Sequence, residues 1–277
     1  MLRKLHMYWR IFTPLALLVL LLLIATPSVF AASYSHRFTL VGPKARYLAL
    51  GDSLAFGFQP DLNFNHGYAD DFMGNLSHHG VKHLANMGCP GETSSTFING
   101  GCPYPFLRKY PYIGPQLAAA AAYLKFYRGQ VSPVTLDIGA NDLLPDINTS
   151  TCAISSSFTS DLATVDANVH TTLTQLQAAM TVNGHMTGDI VMMNYYDPYQ
   201  NICPNTVPDI QLINRHLAAD VQGFGIIVDV FDAFGGAGVP NNNICNYTWM
   251  CSFFNDIHAT TKGYSVIARA FENGTGY

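Results

Sequence analysis

The stretch Tyr47-Leu48-Ala49-Leu50-Gly51-Asp52-Ser53-Leu54 decides how this chain is read. Its first four residues are apolar enough to form a short buried strand. The strand stops at Gly51-Asp52-Ser53, where the backbone can bend sharply and expose a hydroxyl at the carboxyl edge of a sheet. A serine placed there is a candidate nucleophile if a base and oxyanion donors reach it. Gly-Asp-Ser is also ordinary turn chemistry, with Asp52 capping the turn that follows. The remainder of the chain has to choose between the two.

Outward from that stretch, strand and helix patterns alternate. Apolar or aromatic residues at Tyr68, Phe72 and Leu76 are spaced four apart and predict a helix over 67–79. A second strand is expected over 81–87, followed by a tight turn through Gly91. Residues 94–112, rich in Gly, Pro, Tyr and Phe, read as an irregular loop. Pro115 can open an Ala-rich helix over 116–128. Val134–Ile138 gives a third strand, ending at Gly139-Ala140-Asn141-Asp142. A long helix over 160–180, with Ser160 as its cap, carries the stripe Leu162, Val165, Val169, Leu173 and Leu176. Further strands are expected over 189–194 and 225–231, and further helices over 208–222 and 263–272, with a polar loop over 235–254. Five such alternations call for a three-layer α/β/α domain around a mostly parallel five-stranded sheet, with ligands bound at the strands' carboxyl ends.

The first 31 residues are set apart from that domain. Arg3, Lys4 and Arg10 precede an unbroken apolar run from Leu15 to Ala25, and Val29-Phe30-Ala31 offers a cleavage site before Ala32. This is the pattern of a signal peptide, and Pro14 and Pro27 keep the apolar run short of a membrane span. The mature domain is therefore expected over 32–277, secreted and with no stable membrane span. Formal charge moves from −4 to −7 when three basic residues and no acidic ones are removed. An acidic body with few cations is a poor partner for nucleic acid. The expected working form is a monomer.

Six cysteines follow the leader, an even number in an exported chain. Pairing in order, Cys89–Cys102, Cys152–Cys203 and Cys245–Cys251, closes each bridge within one connection. No Cys-x-x-Cys pair supports a metal reading.

Three turns directly after predicted parallel strands, those holding Ser53, Gly91 and Asn141, open at one edge of the sheet. His258, in Asn255-Asp256-Ile257-His258, stands just before the last helix. Together these supply a nucleophile, a base and oxyanion donors, the requirements of acyl transfer. The sequence resembles the GDSL or SGNH hydrolases through four blocks in the family's order. They are Gly51-Asp52-Ser53-Leu54, Asn86-Met87-Gly88-Cys89-Pro90-Gly91-Glu92-Thr93, Gly139-Ala140-Asn141-Asp142 and the stretch ending at His258.

The resemblance implies a flavodoxin-like fold and a serine esterase or lipase. Ser53 would attack an ester carbonyl, His258 would carry the proton, and the N–H groups of Ser53 and Gly91 with the Asn141 amide would hold the oxyanion. It implies no metal or organic cofactor, and a small-molecule, lipid or acylated-carbohydrate ester as substrate. One departure stands out. The family's aspartate usually lies three positions before the histidine, where this chain has Asn255. Asp256, two positions before, is the expected partner of His258; a backbone carbonyl near Asn255 is the alternative. A carbohydrate O-deacetylase or lysophospholipase could use the same residues. A hydrolase fold that has lost its chemistry and binds polysaccharide is the reading from another class.

Overall fold

A computed structural model of the chain describes residues 39–277; the expected signal peptide lies outside the described residues. Five strands form one parallel sheet: β1 (Arg46–Gly51), β2 (His83–Asn86), β3 (Val131–Asp137), β4 (Ile190–Met193) and β5 (Ile226–Val228), in the order β2-β1-β3-β4-β5. The central three are almost wholly buried, as a sheet covered on both faces requires. Parallel strands need crossovers, and five main helices supply them or close the chain: α1 (Tyr68–His78), α2 (Gln116–Phe126), α3 (Phe158–Met180), α4 (Val207–Asp220) and α5 (Thr261–Thr275). α1 packs with α5 on one face, where Tyr68 stacks on Phe271 at 5.0 Å between ring centres. α2, α3 and α4 pack in sequence on the other. This is the doubly wound architecture expected, with the flavodoxin-like strand order.

Several boundaries differ from the sequence reading, each for a local reason. Residues 94–99 form a helical turn inside the expected loop. Thr93 caps it by accepting the Thr96 N–H at 3.1 Å, while Thr96 Oγ1 accepts the Thr93 N–H at 2.9 Å. α3 begins at Phe158 rather than Ser160, because Phe158 is buried and Ser157 takes the cap position; the Ser160 hydroxyl donates back to the Ser157 carbonyl. β5 stops at Val228, where the Asn194 side chain captures the N–H groups of Val230 and Phe231 and turns the chain into a short helix. The expected loop at 235–254 contains a helical turn over Asn242–Tyr247.

The three disulfides are Cys89–Cys102, Cys152–Cys203 and Cys245–Cys251, the order expected. All three staple connections that leave carboxyl ends of strands. Among the described residues no helix is long and apolar enough to cross a membrane.

Candidate active site

β1 delivers Ser53 to the middle of the sheet's carboxyl edge. Gly51 adopts φ +137°, and a Cβ there would lie 2.7 Å from the Asp137 carboxyl carbon, so only glycine lets the strand end ride over β3. Asp52 then caps the short helix Ser53–Phe56, its Oδ1 accepting the Leu54 N–H at 2.9 Å. The capping reading of Asp52 therefore holds. Ser53 is buried except for a small exposed face of 7 %.

His258 arrives on the loop before α5. Its Nε2 lies 2.8 Å from Ser53 Oγ, and its Nδ1 lies 2.6 Å from Asp256 Oδ1. The ionised Asp256 carboxylate only accepts hydrogen bonds, so Nδ1 carries the proton and Nε2 is free to accept from the serine hydroxyl. Asp256 Oδ1 also accepts the His258 backbone N–H at 2.8 Å. Burial pushes the Asp256 carboxyl up, but the hydrogen bonds and charge of His258 outweigh it and hold the group below its usual range.

In an extended segment a shift of one residue, from the position of Asn255 to that of Asp256, turns the side chain to the other side. Here the segment is not extended. Asn255 sits in the left-handed region at φ +46°, a conformation asparagine tolerates well, and Asp256 N–H closes back on the Trp249 carbonyl at 3.3 Å. That bend brings Asp256 under the imidazole despite the altered spacing. Tyr196 pins the same loop, its hydroxyl donating to the Ile257 carbonyl at 2.7 Å. Phe58 supports the imidazole from the side at 4.7 Å between ring centres.

The second and third turns meet the first. Gly91 has φ +78°, and its loop is fixed by the Cys89–Cys102 bridge. Asn141 Nδ2 donates to the Glu92 carbonyl at 3.0 Å, and the Asp142 carboxylate accepts both Ser94 N–H (2.8 Å) and Ser94 Oγ–H (2.7 Å). Within the described residues the backbone N–H groups of Ser53 and Gly91 have no hydrogen-bond partner, although Asp52, Leu54 and Ala55 around Ser53 all do. Unpaired N–H groups at a turn, with an amide beside them, are suited to receiving developing negative charge.

Beside Ser53 and His258 opens an apolar cavity of about 50 Å³, walled by Leu143, Leu144, Ile147, Ile210, Ile213 and Ile257, with Tyr195 and Tyr196 at its side. The 94–112 segment, the aromatic-rich loop after Gly91, does not line it. Tyr110 and Tyr112 of that segment, with the adjoining Ile113, instead line a separate open depression along α2. Trp249 does not line the apolar cavity either; its ring packs edge-on against Phe254. His78, His79 and His83 are exposed, in keeping with a solvated surface. Cys89, Glu92 and Cys102 lie close together, but their thiols are joined in the disulfide and leave one carboxylate as the only ligand.

The sequence reading passed over two supporting residues. Gln116, the first residue of α2, accepts the Gly51 N–H at 2.7 Å, donates to the Gly51 carbonyl at 2.9 Å, and reaches Glu92 at 3.1 Å. It joins the Ser53 turn to the Gly91 turn. Asp137 lies beneath the Ser53 turn and receives three hydrogen bonds. Its signal was present: an acid at the end of a strand whose other residues carry no charge.

Solved structures with this fold include the acetylxylan esterase Axe2 of Geobacillus stearothermophilus, with TM-score 0.56 at 16% identity over 86% of this chain and 97% of that one. The lipase Lip_vut3 from a goat rumen metagenome gives TM-score 0.58 at 17% identity over 83% and 96%. TesA gives 0.51 at 18% identity over 83% and 97%. No curated protein sequence matches the chain. The model of the GDSL-like Lipase/Acylhydrolase family matches residues 49–266, and this chain belongs to that family of ester hydrolases.

Proposed function

We propose that the protein is a secreted serine esterase that cleaves short-chain carboxylic esters through an acyl-enzyme. The observation that carries this reading is the hydrogen-bonded series Ser53–His258–Asp256, with links of 2.8 and 2.6 Å, at the mouth of an apolar cavity. Ser53 Oγ attacks the ester carbonyl carbon while His258 Nε2 takes its proton. Asp256 keeps the imidazole in the required tautomer and stabilises the imidazolium. The carbonyl oxygen, now negative, is held by the N–H groups of Ser53 and Gly91 and by Asn141 Nδ2. As the C–O bond breaks, Nε2 returns the proton to the departing alcohol. Water, deprotonated by the same nitrogen, then attacks the acyl-serine; the acid leaves and the Ser53 hydroxyl is restored.

The cavity supports a choice of acyl group. The cavity is small, about 50 Å³, and this supports a short acyl group over a long one. Its aliphatic wall favours a propionyl or butyryl group over a polar one. Removal of acetyl groups from a carbohydrate, the activity in the name of the Geobacillus neighbour, is the second reading, since an acetyl group also fits. Secretion is supported by the leader at residues 1–31 and by three disulfides.

Hydrolysis of p-nitrophenyl esters from acetyl to palmitoyl, beside acetylated xylan, tests both readings. The expected profile peaks at short acyl chains, propionyl and butyryl, in keeping with the small aliphatic cavity. A palmitoyl optimum would contradict the short-chain assignment. Activity confined to the polysaccharide would favour the deacetylase, and no hydrolysis of any ester would leave a binding protein.

A further inference from the structure

Among the described residues, all of the exposed large apolar side chains but Val41 and Phe126 belong to connections that leave the carboxyl ends of strands. Single exposed apolar residues are ordinary, but a set gathered at one edge is not. Four tips mark this rim: Leu62 after β1, Phe106 after β2, Ile202 after β4 and Phe253 after β5, each more than half exposed. Each is tied to the site. Phe58, in the Leu62 loop, packs on the His258 ring, and the buried Gln59 reaches Thr261 at 3.2 Å. Tyr104 stands edge-on to Phe106 at 6.2 Å between ring centres and lies over the Gly91 turn, where an added Cβ would meet its ring at 3.5 Å. Pro198, at the head of the Ile202 loop, lines the cavity beside Ser53. Phe253 packs on Phe254 and Phe254 on Trp249, whose carbonyl accepts the Asp256 N–H.

Charge is nearly absent from the rim. Residues 93–107, 198–208 and 233–255 contain no Asp, Glu, Lys or Arg, in a chain that is 12 % charged. Over 57–65 the single charged residue is Asp61. The tips are also anchored. Bridged Cys102, Cys203 and Cys251 stand beside Phe106, Ile202 and Phe253 in turn. Leu62 is held at φ +68°, a conformation that leucine seldom adopts, with its side chain in solvent. Its N–H donates to the Gln59 carbonyl at 3.0 Å, and Gln59 Nε2 donates to the Asn63 carbonyl at 2.9 Å. Apolar tips fixed before contact lose little freedom on docking.

We propose that this rim docks the enzyme on the surface of a water-insoluble, uncharged ester, of the kind presented by a short-acyl triglyceride droplet. The inference rests on the reading of Ser53 as the nucleophile of an ester hydrolase and names the phase that supplies its substrate. Phe, Leu and Ile tips offer no hydrogen bonds to the hydroxyls that cover a neutral polysaccharide. An anionic membrane finds no cations on the charge-free stretches and meets an acidic chain. An uncharged ester surface demands neither, and the rim that touches it surrounds the mouth of the cavity that takes the acyl group.

Co-sedimentation with emulsified tributyrin tests the docking without turnover, using the Ser53→Ala protein. The expected result is capture by the droplets and none by phosphatidylglycerol vesicles. Adding Phe106→Ser and Phe253→Ser should lower the bound-to-free ratio at least ~tenfold. Thermal unfolding should stay unchanged, since both side chains lie in solvent. Leu62→Asn, which suits the left-handed backbone, should lower the ratio as well. Undiminished capture after these substitutions, no capture by droplets, or equal capture by the anionic vesicles would overturn the proposal. So would a dimer in solution that the substitutions dissociate, because a second copy would then cover the rim.

Turnover separates this proposal from the reading beneath it. Wild type that sediments with droplets but hydrolyses neither tributyrin nor p-nitrophenyl butyrate would count against the proposed function alone. Hydrolysis of soluble p-nitrophenyl butyrate without capture by droplets would count against the docking alone.

Discussion

The turn that carries Ser53 and the loop that carries His258 meet at 2.8 Å but are held in different ways. The Ser53 turn is fixed from below by residues remote in sequence. Gln116 holds both polar groups of Gly51, and Asp137 holds Asp52 and Ala55. The His258 loop is fixed mainly by its neighbours. Trp249 N–H donates to the His258 carbonyl at 3.0 Å, Asp256 closes an Asx-type turn onto His258, and the Cys245–Cys251 bridge lies just upstream. Its tip is open to solvent, with Phe253 98 % exposed. A serine built on a central strand has little freedom in its sequence context. A histidine carried on a locally folded loop tolerates rearrangement, provided some bend still brings an acid to the imidazole. That difference explains how the acid can stand two positions before His258.

Substitutions can break this comparison at either end. Ser53→Ala and His258→Ala should each lower kcat by roughly 10⁶, since the hydroxyl and the base act as one unit; a butyrate ester assay reads this. Asp256→Ala should cost less, up to about 10⁴, because imidazole can still take the proton in a less favourable tautomer. Wild-type turnover in that variant would mean that Asp256 does not orient His258. Asn141→Ala removes one of the proposed oxyanion donors and should lower kcat ~10²–10³-fold with KM largely kept.

The sharpest test of the loop is Asn255. Asn255→Gly keeps access to the left-handed region, and its kcat/KM should stay within about twofold of wild type. Asn255→Val must pay about 1–2 kcal/mol to adopt that conformation, which predicts a fall of up to ~tenfold in kcat/KM or an equivalent loss of stability. Equal behaviour of the two variants would show that the bend does not matter.

The pH dependence of stability should show the same pair. Asp256 is held below its usual range, so its contribution is present above the ordinary aspartate value of about 3.9 and is lost as pH falls through the lower folded value. Thermal unfolding of wild type against Asp256→Asn from acid to neutral pH should converge at the acid end and separate toward neutrality.

What could be read from sequence follows the same division. The five strands and five main helices were visible because a two-sided parallel sheet demands apolar runs and its covering helices demand stripes. Ser53, Gly91, Asn141 and His258 were visible because each sits where a strand, turn or closing helix is readable on its own. Thr93 and Thr96 form a cap without the usual acidic or amide partner, so the 94–99 helix read as loop. Asp256 was legible only as a nearby acid, because its reach depends on one backbone dihedral at Asn255. Gln116 and Asp137 act through contacts across 65 and 82 or more positions, which no local pattern encodes.

Covalent labelling with a fluorophosphonate tests the central claim most directly, because it reports an activated serine without knowledge of the substrate. The expected result is a single phosphonylated peptide carrying the adduct on Ser53, with labelling abolished in both Ser53→Ala and His258→Ala. An unlabelled wild-type protein, or an adduct on another residue, would contradict the account.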